Sequence, residues 1–312
     1  FFKMKLIYMS SSDFGVPALK KPISSHHEIA GVYTQPPKRS GRGMKLTKSP
    51  IYEMAEENNL LIKTPYNLRD EDEIRSLKKL SPDIGVVVSY GLIIPKKFLS
   101  IPRYGFINIH PSLLPRWRGA APIQRAIIEG DRVTGVNIIR LDEGLDTGDI
   151  CKYIETPINV DDNYSTLSAR LSEIGAKLLL DSLSEFSNGK IKFIKQKDTG
   201  ITYAKKILKE ETKIDFNKTS KNVVNLIKGL SPYPGGWFTY VNGDTTFRVR
   251  ILDAIQCDLS GAPGEILDSN LTIACSDKSI SPILIQKEGK KPIHIEEFLR
   301  GTKIIQGSML NQ

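Results

Sequence analysis

The feature that most constrains the fold of this chain is an alternation of short β-rich runs with helical stretches over its first two-thirds. Strands are predicted at residues 5–9, 29–34, 84–89 and 106–110, and helices at residues 50–58 and 70–80. Each helix has Pro or Asp near its start, as helix N-termini favour. Such alternation is typical of a parallel sheet covered by helices, so we predict an α/β fold with a Rossmann-like sheet. Ligands of such sheets bind beyond the carboxyl ends of the strands.

A change of pattern near residue 207 predicts a second domain. A helix at residues 164–186 closes the first unit, and a basic, linker-like segment follows it. After one further helix at residues 221–230, turns separate five short β-rich runs, and Asn242-Gly243 is a favourable hairpin turn. These runs cover residues 238–241, 246–255, 264–267, 271–275 and 283–286. We predict a first domain at residues 1–189, a basic linker at 190–207 and a small OB-like β-barrel domain at 208–312; any other small β domain is the alternative.

Composition excludes several classes of protein. A hydrophobic fraction of 40% can fill a core in each of two domains, and no apolar run reaches the roughly 20 residues that span a bilayer. We therefore expect a soluble, cytoplasmic protein. Cys151, Cys257 and Cys275 are too widely spaced for a metal site or disulfide framework, so we predict small buried hydrophobes and no metal. The first strand lacks the Gly-rich turn that a dinucleotide requires, so NAD is not the expected cofactor.

The formal net charge of +9 permits a polyanionic partner without requiring one. Two segments concentrate the positive charge. Residues 38–48 contain five basic side chains and no acidic one, and residues 190–209 contain seven basic side chains and one acid, Asp198. Both segments are candidates for phosphate contacts, and the alternative is ordinary solvated charge on a loop and a linker.

Asn108 and His110 are the first candidates for catalysis. They are separated by one residue at the end of a predicted strand, so their side chains point to the same face. Downstream, residues 141–149 form an acidic, glycine-interrupted loop that can bring one carboxylate to the histidine. Asp146 is the preferred partner, and Asp142 is an alternative that spacing alone does not exclude.

These residue types suit attack by an amine on a carbonyl carbon. Negative charge develops on the carbonyl oxygen, and fixed N–H donors such as Asn108 and His110 can stabilise it. A carboxylate such as Asp146 sets the histidine tautomer and strengthens its hold on a proton. A lone Asn-x-His pattern is nevertheless also typical of a structural histidine at a strand end.

A longer run carries a resemblance to a known family. The sequence Asn-Ile-His-Pro-Ser-Leu-Leu-Pro-Arg-Trp-Arg-Gly-Ala-Ala-Pro-Ile-Gln at residues 108–124, with Asp-Glu-Gly-Leu-Asp-Thr-Gly-Asp at residues 142–149, closely resembles the folate-dependent formyltransferases. Further similar segments extend nearly end to end, at residues 32–35, 41–43, 82–95 and 202–207. One departure is Ser10-Ser11-Ser12-Asp13-Phe14, where the family usually has Gly-Thr-Pro-Asp/Glu-Phe.

The resemblance implies a role for individual residues. Asn108, His110 and Asp146 match the family's catalytic positions, and residues 1–189 would be its catalytic domain. The Ser-Leu-Leu-Pro segment would lie along the folate. The cofactor-binding residues implied are Ser112, Leu113, Leu114, Pro115, Tyr90, Gly91 and Leu92. The loop that carries Gly-Arg-Gly would approach the acceptor stem of a transfer RNA, and Arg42 is its arginine. The RNA-binding residues implied are Arg42, Lys38, Arg39, Lys45, Lys205 and Lys206.

The resemblance also implies the reaction. We expect transfer of the formyl group of 10-formyltetrahydrofolate to the amino group of methionyl initiator transfer RNA, by a monomer whose C-terminal domain also contacts the RNA. The first alternative is the same chemistry on a small amine, such as an amino-sugar nucleotide or a glycinamide ribonucleotide. The second alternative is a non-catalytic RNA-binding protein with this fold, although a complete set of three catalytic residues argues against it.

Overall fold

A computed structural model describes residues 3–40, 43–242 and 245–310 of the chain. The chain folds into two compact units, and neither is one continuous stretch of sequence. The first unit comprises Phe1–Gly119, Val133–Pro157 and Ser168–Tyr203. The second comprises Ala120–Arg132, Ile158–Leu167 and Ala204–Gln312.

The helices and strands follow one another along the chain. In the first half they are β1 (Lys5–Ser10), α1 (Val16–Ile23), β2 (Glu28–Tyr33), β3 (Lys38–Ser40), β4 (Lys45–Thr47), α2 (Pro50–Glu57), β5 (Ile62–Lys63), α3 (Glu71–Leu80), β6 (Ile84–Val88), α4 (Lys96–Leu99), β7 (Phe106–His110), β8 (Arg118–Gly119), α5 (Pro122–Ile128), β9 (Val133–Arg140) and β10 (Ile150–Pro157). The second half contains α6 (Tyr164–Ser187), β11 (Tyr203–Ala204), α7 (Ser220–Leu230), β12 (Gly236–Asn242), β13 (Thr245–Cys257), β14 (Ile273–Ala274), β15 (Ser279–Lys287), β16 (Ile293–His294) and α8 (Ile295–Gly301).

A seven-stranded sheet organises the first unit, in the order β10-β9-β7-β6-β1-β2-β5. The five strands from β7 to β5 run parallel, and β9 and β10 are antiparallel to their neighbours. The predicted Rossmann-like α/β fold is therefore confirmed. Since β1, β6 and β7 are parallel neighbours, the residues after Ser10, Val88 and His110 gather at one edge of the sheet.

Local chemistry explains where the predicted helices begin. Ser49 caps α2 by accepting a hydrogen bond from the Tyr52 backbone N–H, and Pro50 follows at the first helical position. Asp70 caps α3 by accepting from the Asp72 N–H. The first turn of α3 is acidic and its last turn basic, which complements the helix dipole.

An antiparallel sheet with the strand order β12-β13-β15-β14 organises the second unit, and β16 pairs with β15. Its core includes Phe216, Val223, Phe238 and Ile251. The predicted C-terminal β domain is thus confirmed. Residues 264–267 form no strand in it but only isolated bridges, from Glu265 to Met309 and from Ile266 to Ile273 of β14. Gly243, in the predicted hairpin turn, lies outside the described residues.

Two further sequence predictions concern cysteines and membrane segments. Cys275 is buried, whereas Cys151 and Cys257 are half-buried. Burial raises the pKa of the Cys151 and Cys275 thiols to about 12, so both stay protonated at neutral pH. Within the part of the chain that the structure describes, no helix combines the length and apolar character that crossing a bilayer requires.

Gly85 provides a test of the central sheet. A Cβ at this position would lie 2.0 Å from Cδ1 of Phe106, whose backbone pairs with Gly85 across β6 and β7. Since Phe106 is 1% exposed and packs against Phe98, its ring has little room to move. We expect Gly85→Ala to lower the free energy of unfolding by about 1–3 kcal/mol, as overpacking of a core does.

The measurement is chemical denaturation, with Gly31→Ala in β2 as the matched control. A Cβ at Gly31 would meet its nearest atom, Cδ1 of Ile7, at an ordinary 3.5 Å, so the control should keep wild-type stability. Equal stability of the two variants would show that Phe106 does not constrain the sheet at Gly85.

Candidate active site

The candidate catalytic residues lie at the carboxyl end of β7. Asn108 and His110 alternate with Ile107 and Ile109 along the strand, so their side chains share one face of the sheet. His110 is 3% exposed, and Asn108 is half-buried. The sheet therefore presents an amide and an imidazole side by side where open α/β sheets bind ligands.

Both ring nitrogens of His110 face protein acceptors. Nε2 lies 2.9 Å from the Trp117 carbonyl oxygen, which can only accept, so Nε2 carries a hydrogen. Nδ1 lies 3.5 Å from Oδ2 of Asp146. A proton added at Nδ1 would therefore stand beside a carboxylate, which stabilises the charged ring.

Asp146 is the point where the site converges. Its Oδ1 accepts a hydrogen bond from Nδ2 of Asn108 at 3.3 Å, and its Oδ2 accepts from the Gly119 backbone N–H at 2.8 Å. The residue has a φ of 53°, in the left-handed region that non-glycine residues seldom adopt. The carboxylate is thus fixed against both candidate partners by donors from two other segments of the chain.

The side chain of Gln196 anchors the acidic loop through hydrogen bonds to its backbone. Its Nε2 donates to the backbone carbonyls of Asp146 at 2.7 Å and Gly148 at 2.8 Å. Its Oε1 accepts from Nε of Arg118 at 3.1 Å and from Nη2 at 2.7 Å. Gln196 and Arg118 are 5% and 7% exposed, so these bonds are made largely out of water, where breaking them is costly.

Asp142, the alternative partner for His110, has a different task. It is exposed, and its Oδ1 accepts from the Gly144 N–H at 2.9 Å and from the Thr147 hydroxyl at 2.7 Å. Both bonds stay within the acidic loop. The structure therefore places Asp146, and not Asp142, beside the histidine.

The Ser-Leu-Leu-Pro segment follows β7 directly, at the same edge of the sheet. The Ser112 hydroxyl is buried and donates to the Arg116 carbonyl at 2.8 Å, and the Ser112 carbonyl accepts from Nδ2 of Asn137. Leu114 is 9% exposed, while Leu113 and Pro115 are half-buried. The hydroxyl and the carbonyl of Ser112 are thus both used in hydrogen bonds within the protein. Leu113 and Pro115 are the more accessible members of the segment.

Tyr90, Gly91 and Leu92 belong to the loop after β6, the strand beside β7. They therefore lie at the same edge of the sheet as the segment that follows β7. The Tyr90 ring packs in the core of the first unit, and burial raises the pKa of its phenol, with a smaller contribution from Glu73. Gly91 has a φ of 85° and is exposed. Among the described residues beyond its chain neighbours, only Gln35 comes within 4 Å of the position of a Cβ, through Nε2 at 3.9 Å. This loop therefore offers open backbone rather than side chains.

The basic segment at residues 38–48 forms the two-stranded pair β3 and β4. Lys38, Arg39 and Lys45 are exposed, and Nζ of Lys38 donates to Oε1 of Gln35 at 3.2 Å. Arg42 lies outside the described residues. Of the four described cations in this segment, Lys38, Arg39 and Lys45 are exposed, whereas Nζ of Lys48 donates to the Glu56 carboxylate.

Lys205 and Lys206 are exposed on a segment that Arg125 holds in place. Nε of Arg125 donates to the Lys205 carbonyl at 3.1 Å, and Nη2 donates to the Lys206 carbonyl at 3.4 Å. The same guanidinium binds the Glu211 carboxylate through Nη1 at 2.7 Å and Nη2 at 3.0 Å. Arg125 lowers the pKa of Glu211, so this pair stays charged at neutral pH. Because Arg125 donates hydrogen bonds to both carbonyls, the backbone of the two lysines has a defined conformation.

Sequence reasoning missed several residues that shape the site. Gln196 and Thr202 fall in the segment predicted as a linker, yet Thr202 Oγ1 accepts from the Trp117 N–H at 2.9 Å. Arg118 belongs to the run that carries the family resemblance, but no role was predicted for its side chain. Gly119 contributes its backbone N–H to the site. No pattern in the sequence could have paired Arg118 with Gln196, because 78 positions separate them.

This chain is similar in sequence to known proteins. Residues 4–183 match the family described as Formyl transferase, and residues 206–303 match Formyl transferase, C-terminal domain. A methionyl-tRNA formyltransferase of Chelativorans sp. (strain BNC1) is 42% identical over 308 residues, covering 98% of this chain and 99% of the relative. One from Parvibaculum lavamentivorans is 43% identical over 300 residues, covering 96% and 97%.

Solved structures share the fold at lower identity. An N-formyltransferase from Helicobacter canadensis has a TM-score of 0.69 at 20% identity and covers 92% of this chain and 100% of its own. HypX from Aquifex aeolicus, in complex with tetrahydrofolic acid, has a TM-score of 0.67 at 18% identity and covers 100% of this chain and 51% of its own. Because the N-terminal family match spans more than half of the sequence and the relatives align along nearly all of it, this chain belongs to the formyl transferase family.

Proposed function

We propose that this enzyme transfers the formyl group of 10-formyltetrahydrofolate to the free amino group of methionyl initiator transfer RNA, and so supports translation initiation. The observation that carries the proposal is the identity of 42–43% over nearly the whole chain with relatives named methionyl-tRNA formyltransferase. The cluster of Asn108, His110 and Asp146 supplies the chemistry, as the next steps describe.

Attack by the amine forms a bond from its nitrogen to the formyl carbon and places negative charge on the formyl oxygen. Asn108 is the donor best placed to stabilise that oxygen. One hydrogen of its Nδ2 points at Asp146, and an amide nitrogen carries a second. Because Asp146 holds the amide before the reaction, that second hydrogen is already oriented, which is the condition for effective stabilisation.

His110 and Asp146 take part in the proton transfers of the reaction. As the bond from the formyl carbon to the folate nitrogen breaks, the attacking amine loses a proton and the departing nitrogen gains one. Nδ1 of His110 can hold a proton between these events, since Asp146 stands 3.5 Å away. Burial of His110 requires that the proton arrive through Asp146 or a water. The prediction that His110 also stabilises the oxyanion would require its Nε2–H to leave the Trp117 carbonyl.

The folate fits the edge formed by the loop after β6 and the segment after β7. Exposed backbone at Gly91 can hydrogen-bond the edge of a flat polar ring, and Leu113 and Pro115 offer apolar contact to its faces. Tyr90 and Leu114 support these contacts from within, and Leu92 borders them. In this proposal Ser112 shapes the segment rather than touching the ligand.

The RNA contacts belong to the two basic segments. Lys38, Arg39, Lys45 and Arg42 belong to one, and Lys205 and Lys206 belong to the other. The charges of the five described residues are exposed, which suits phosphate groups. We further propose that the enzyme acts as a monomer in the cytoplasm, where its RNA substrate is used.

The decisive experiment offers purified enzyme and 10-formyltetrahydrofolate three acceptors: methionyl initiator transfer RNA, the same RNA uncharged, and an amino-sugar nucleotide. We expect formylation of the charged RNA alone. Uncharged RNA lacks the methionine amine, and an amino-sugar nucleotide has an amine but only a diphosphate, whereas the charged RNA offers a long phosphate backbone to the basic segments. His110→Ala, the control for contaminating activity, should lower turnover by about 10²-fold or more. Transfer to the sugar nucleotide alone would overturn the proposed acceptor while keeping the chemistry.

The carboxylate is tested by the matched pair Asp146→Asn and Asp142→Asn. Asparagine keeps an oxygen that can accept from the Gly119 N–H, yet it removes the charge beside His110. We expect Asp146→Asn to lower kcat about 10²-fold or more with little change in fold by circular dichroism. Asp142→Asn should stay near wild type because its bonds are local. Similar losses in the two variants would remove Asp146 from the mechanism.

The role of Arg125 is tested by Arg125→Gln, with the exposed Arg132→Gln as control. Loss of the guanidinium frees the carbonyls of Lys205 and Lys206 and removes the cationic partner of Glu211, which keeps only its hydrogen bond from the Leu208 N–H. We expect KM for the charged RNA to rise about threefold to tenfold, or roughly 1 kcal/mol, with KM for the formyl donor unchanged. An equal rise in both constants would indicate a general structural defect instead.

A further inference from the structure

Residues 115–119, which we call the Trp117 segment, supply two fixed contacts to the candidate catalytic residues. The Trp117 carbonyl lies 2.9 Å from Nε2 of His110. The Gly119 N–H donates to Oδ2 of Asp146 at 2.8 Å. Both contacts are made by backbone groups, so they depend on the conformation of the segment and not on its side chains. The residues that hold this backbone therefore help to orient His110 and Asp146.

The backbone at Trp117 adopts a conformation that needs support. Its φ of 65° lies in the left-handed region, which bulky residues seldom adopt and which persists only where the surroundings hold it. The Trp117 ring is buried, and the Arg116 guanidinium lies 4.2 Å from its centre. These contacts hold the side chain, whereas the direction of the carbonyl toward His110 depends on hydrogen bonds of the backbone.

Thr202 provides those hydrogen bonds. Its Oγ1 accepts from the Trp117 N–H at 2.9 Å, and its carbonyl accepts from the Arg118 N–H at 2.9 Å. Its own N–H donates to the Pro115 carbonyl at 3.4 Å. One residue thus bonds the Trp117 segment before, at and after the left-handed position. Only the hydroxyl among these three groups is specific to the amino-acid type, because every residue except proline has both backbone groups.

Thr202 is one of two residues by which the loop at residues 196–202 contacts the active site. Gln196 is buried and donates to the carbonyls of Asp146 and Gly148. Residues 197–201 are exposed, and Thr202 is half-buried. The loop therefore meets the site at its two ends, where Gln196 holds the acidic loop and Thr202 holds the Trp117 segment.

We propose that Thr202 is a positioning residue for the formyl transfer, whose hydroxyl holds the Trp117 backbone so that the carbonyl keeps a proton on Nε2 of His110. Nδ1 then remains the nitrogen that faces Asp146 and exchanges a proton during the reaction. This inference rests on the proposed function, because the proton transfers of His110 belong to it. Without the hydroxyl, the Trp117 N–H loses this acceptor, and the backbone shifts toward another partner.

The kinetic test compares Thr202→Val with Thr202→Ser, and Thr199→Val is the matched control. Valine keeps the branched shape of threonine but removes the acceptor for the Trp117 N–H, whereas serine retains a hydroxyl. Thr199 is exposed in the same loop. Formyl transfer from 10-formyltetrahydrofolate to methionyl initiator transfer RNA is measured, and thermal melting checks the fold.

We expect Thr202→Val to lower kcat about tenfold to a hundredfold, because small displacements of positioned groups have effects of that size. The KM values for the formyl donor and the RNA should stay within about twofold of wild type, since the lost contact orients reacting groups and binds neither substrate. Thr202→Ser and Thr199→Val should keep kcat within about threefold of wild type, because the first retains the acceptor and the second alters only an exposed side chain.

A second measurement reads the histidine tautomer by NMR of enzyme labelled with nitrogen-15 histidine, without turnover. The chain has four histidines, and His110→Gln identifies the His110 signals by their loss. In the neutral ring, we expect wild type and Thr202→Ser to carry the proton on Nε2. Thr202→Val should give averaged signals from both tautomers, because the Trp117 carbonyl no longer selects one of them.

Three results would overturn the proposal. The first is a wild-type kcat and tautomer in Thr202→Val. The second is a rise in KM for the RNA alone, which would assign Thr202 to RNA binding. The third is an equal loss of kcat and of melting temperature in Thr202→Val and Thr202→Ser, which would indicate a general structural role. If the wild-type enzyme fails to formylate the RNA, the proposed function is overturned, whereas mixed tautomers in Thr202→Val alone would still support the hold of Thr202 on His110.

Discussion

One carboxylate, that of Asp146, holds the candidate active site together. Asp146 stands within hydrogen-bond or ion-pair distance of Asn108, His110 and the Gly119 N–H, so one side chain sets the orientation of both candidate catalytic groups. The position of this carboxylate depends on a left-handed backbone conformation at Asp146 and on the hydrogen bond that the buried Gln196 donates to the Asp146 carbonyl. The acidic loop is consequently a built element of the active site and not a flexible connection between β9 and β10.

The fold was largely predictable because its signals are local. Each parallel strand of the first unit is a short β-rich run, and caps such as Ser49 and Asp70 mark helix starts within a few residues. The run at residues 264–267 was the exception, because it forms isolated bridges at Glu265 and Ile266 instead of a strand. Its bridge to Ile273 of β14 is local, whereas its bridge to Met309 joins residues 44 positions apart, which no local rule can supply.

The site was predictable only where its residues share a strand or a loop. Asn108 and His110 could be placed together by alternation. The acidic loop pointed to Asp146 as the preferred partner, and resemblance to a known family supported that choice. The choice of Asp146 over Asp142 needed the backbone path of the loop. Gln196, Arg118 and Arg125 were missed because their roles depend on partners distant in sequence.

The discontinuity of the two units has a consequence for how the chain is made. Ala120–Arg132 emerges from the ribosome long before Ala204–Gln312, although both belong to the second unit. Ile128 of α5 is therefore synthesised before its partner Gly229 of α7, which it contacts in the folded protein. The first unit likewise lacks Gln196 until its last segment is synthesised. Synthesis thus leaves both units incomplete for much of the nascent chain's growth, and the apolar face of α5 must be shielded during that interval.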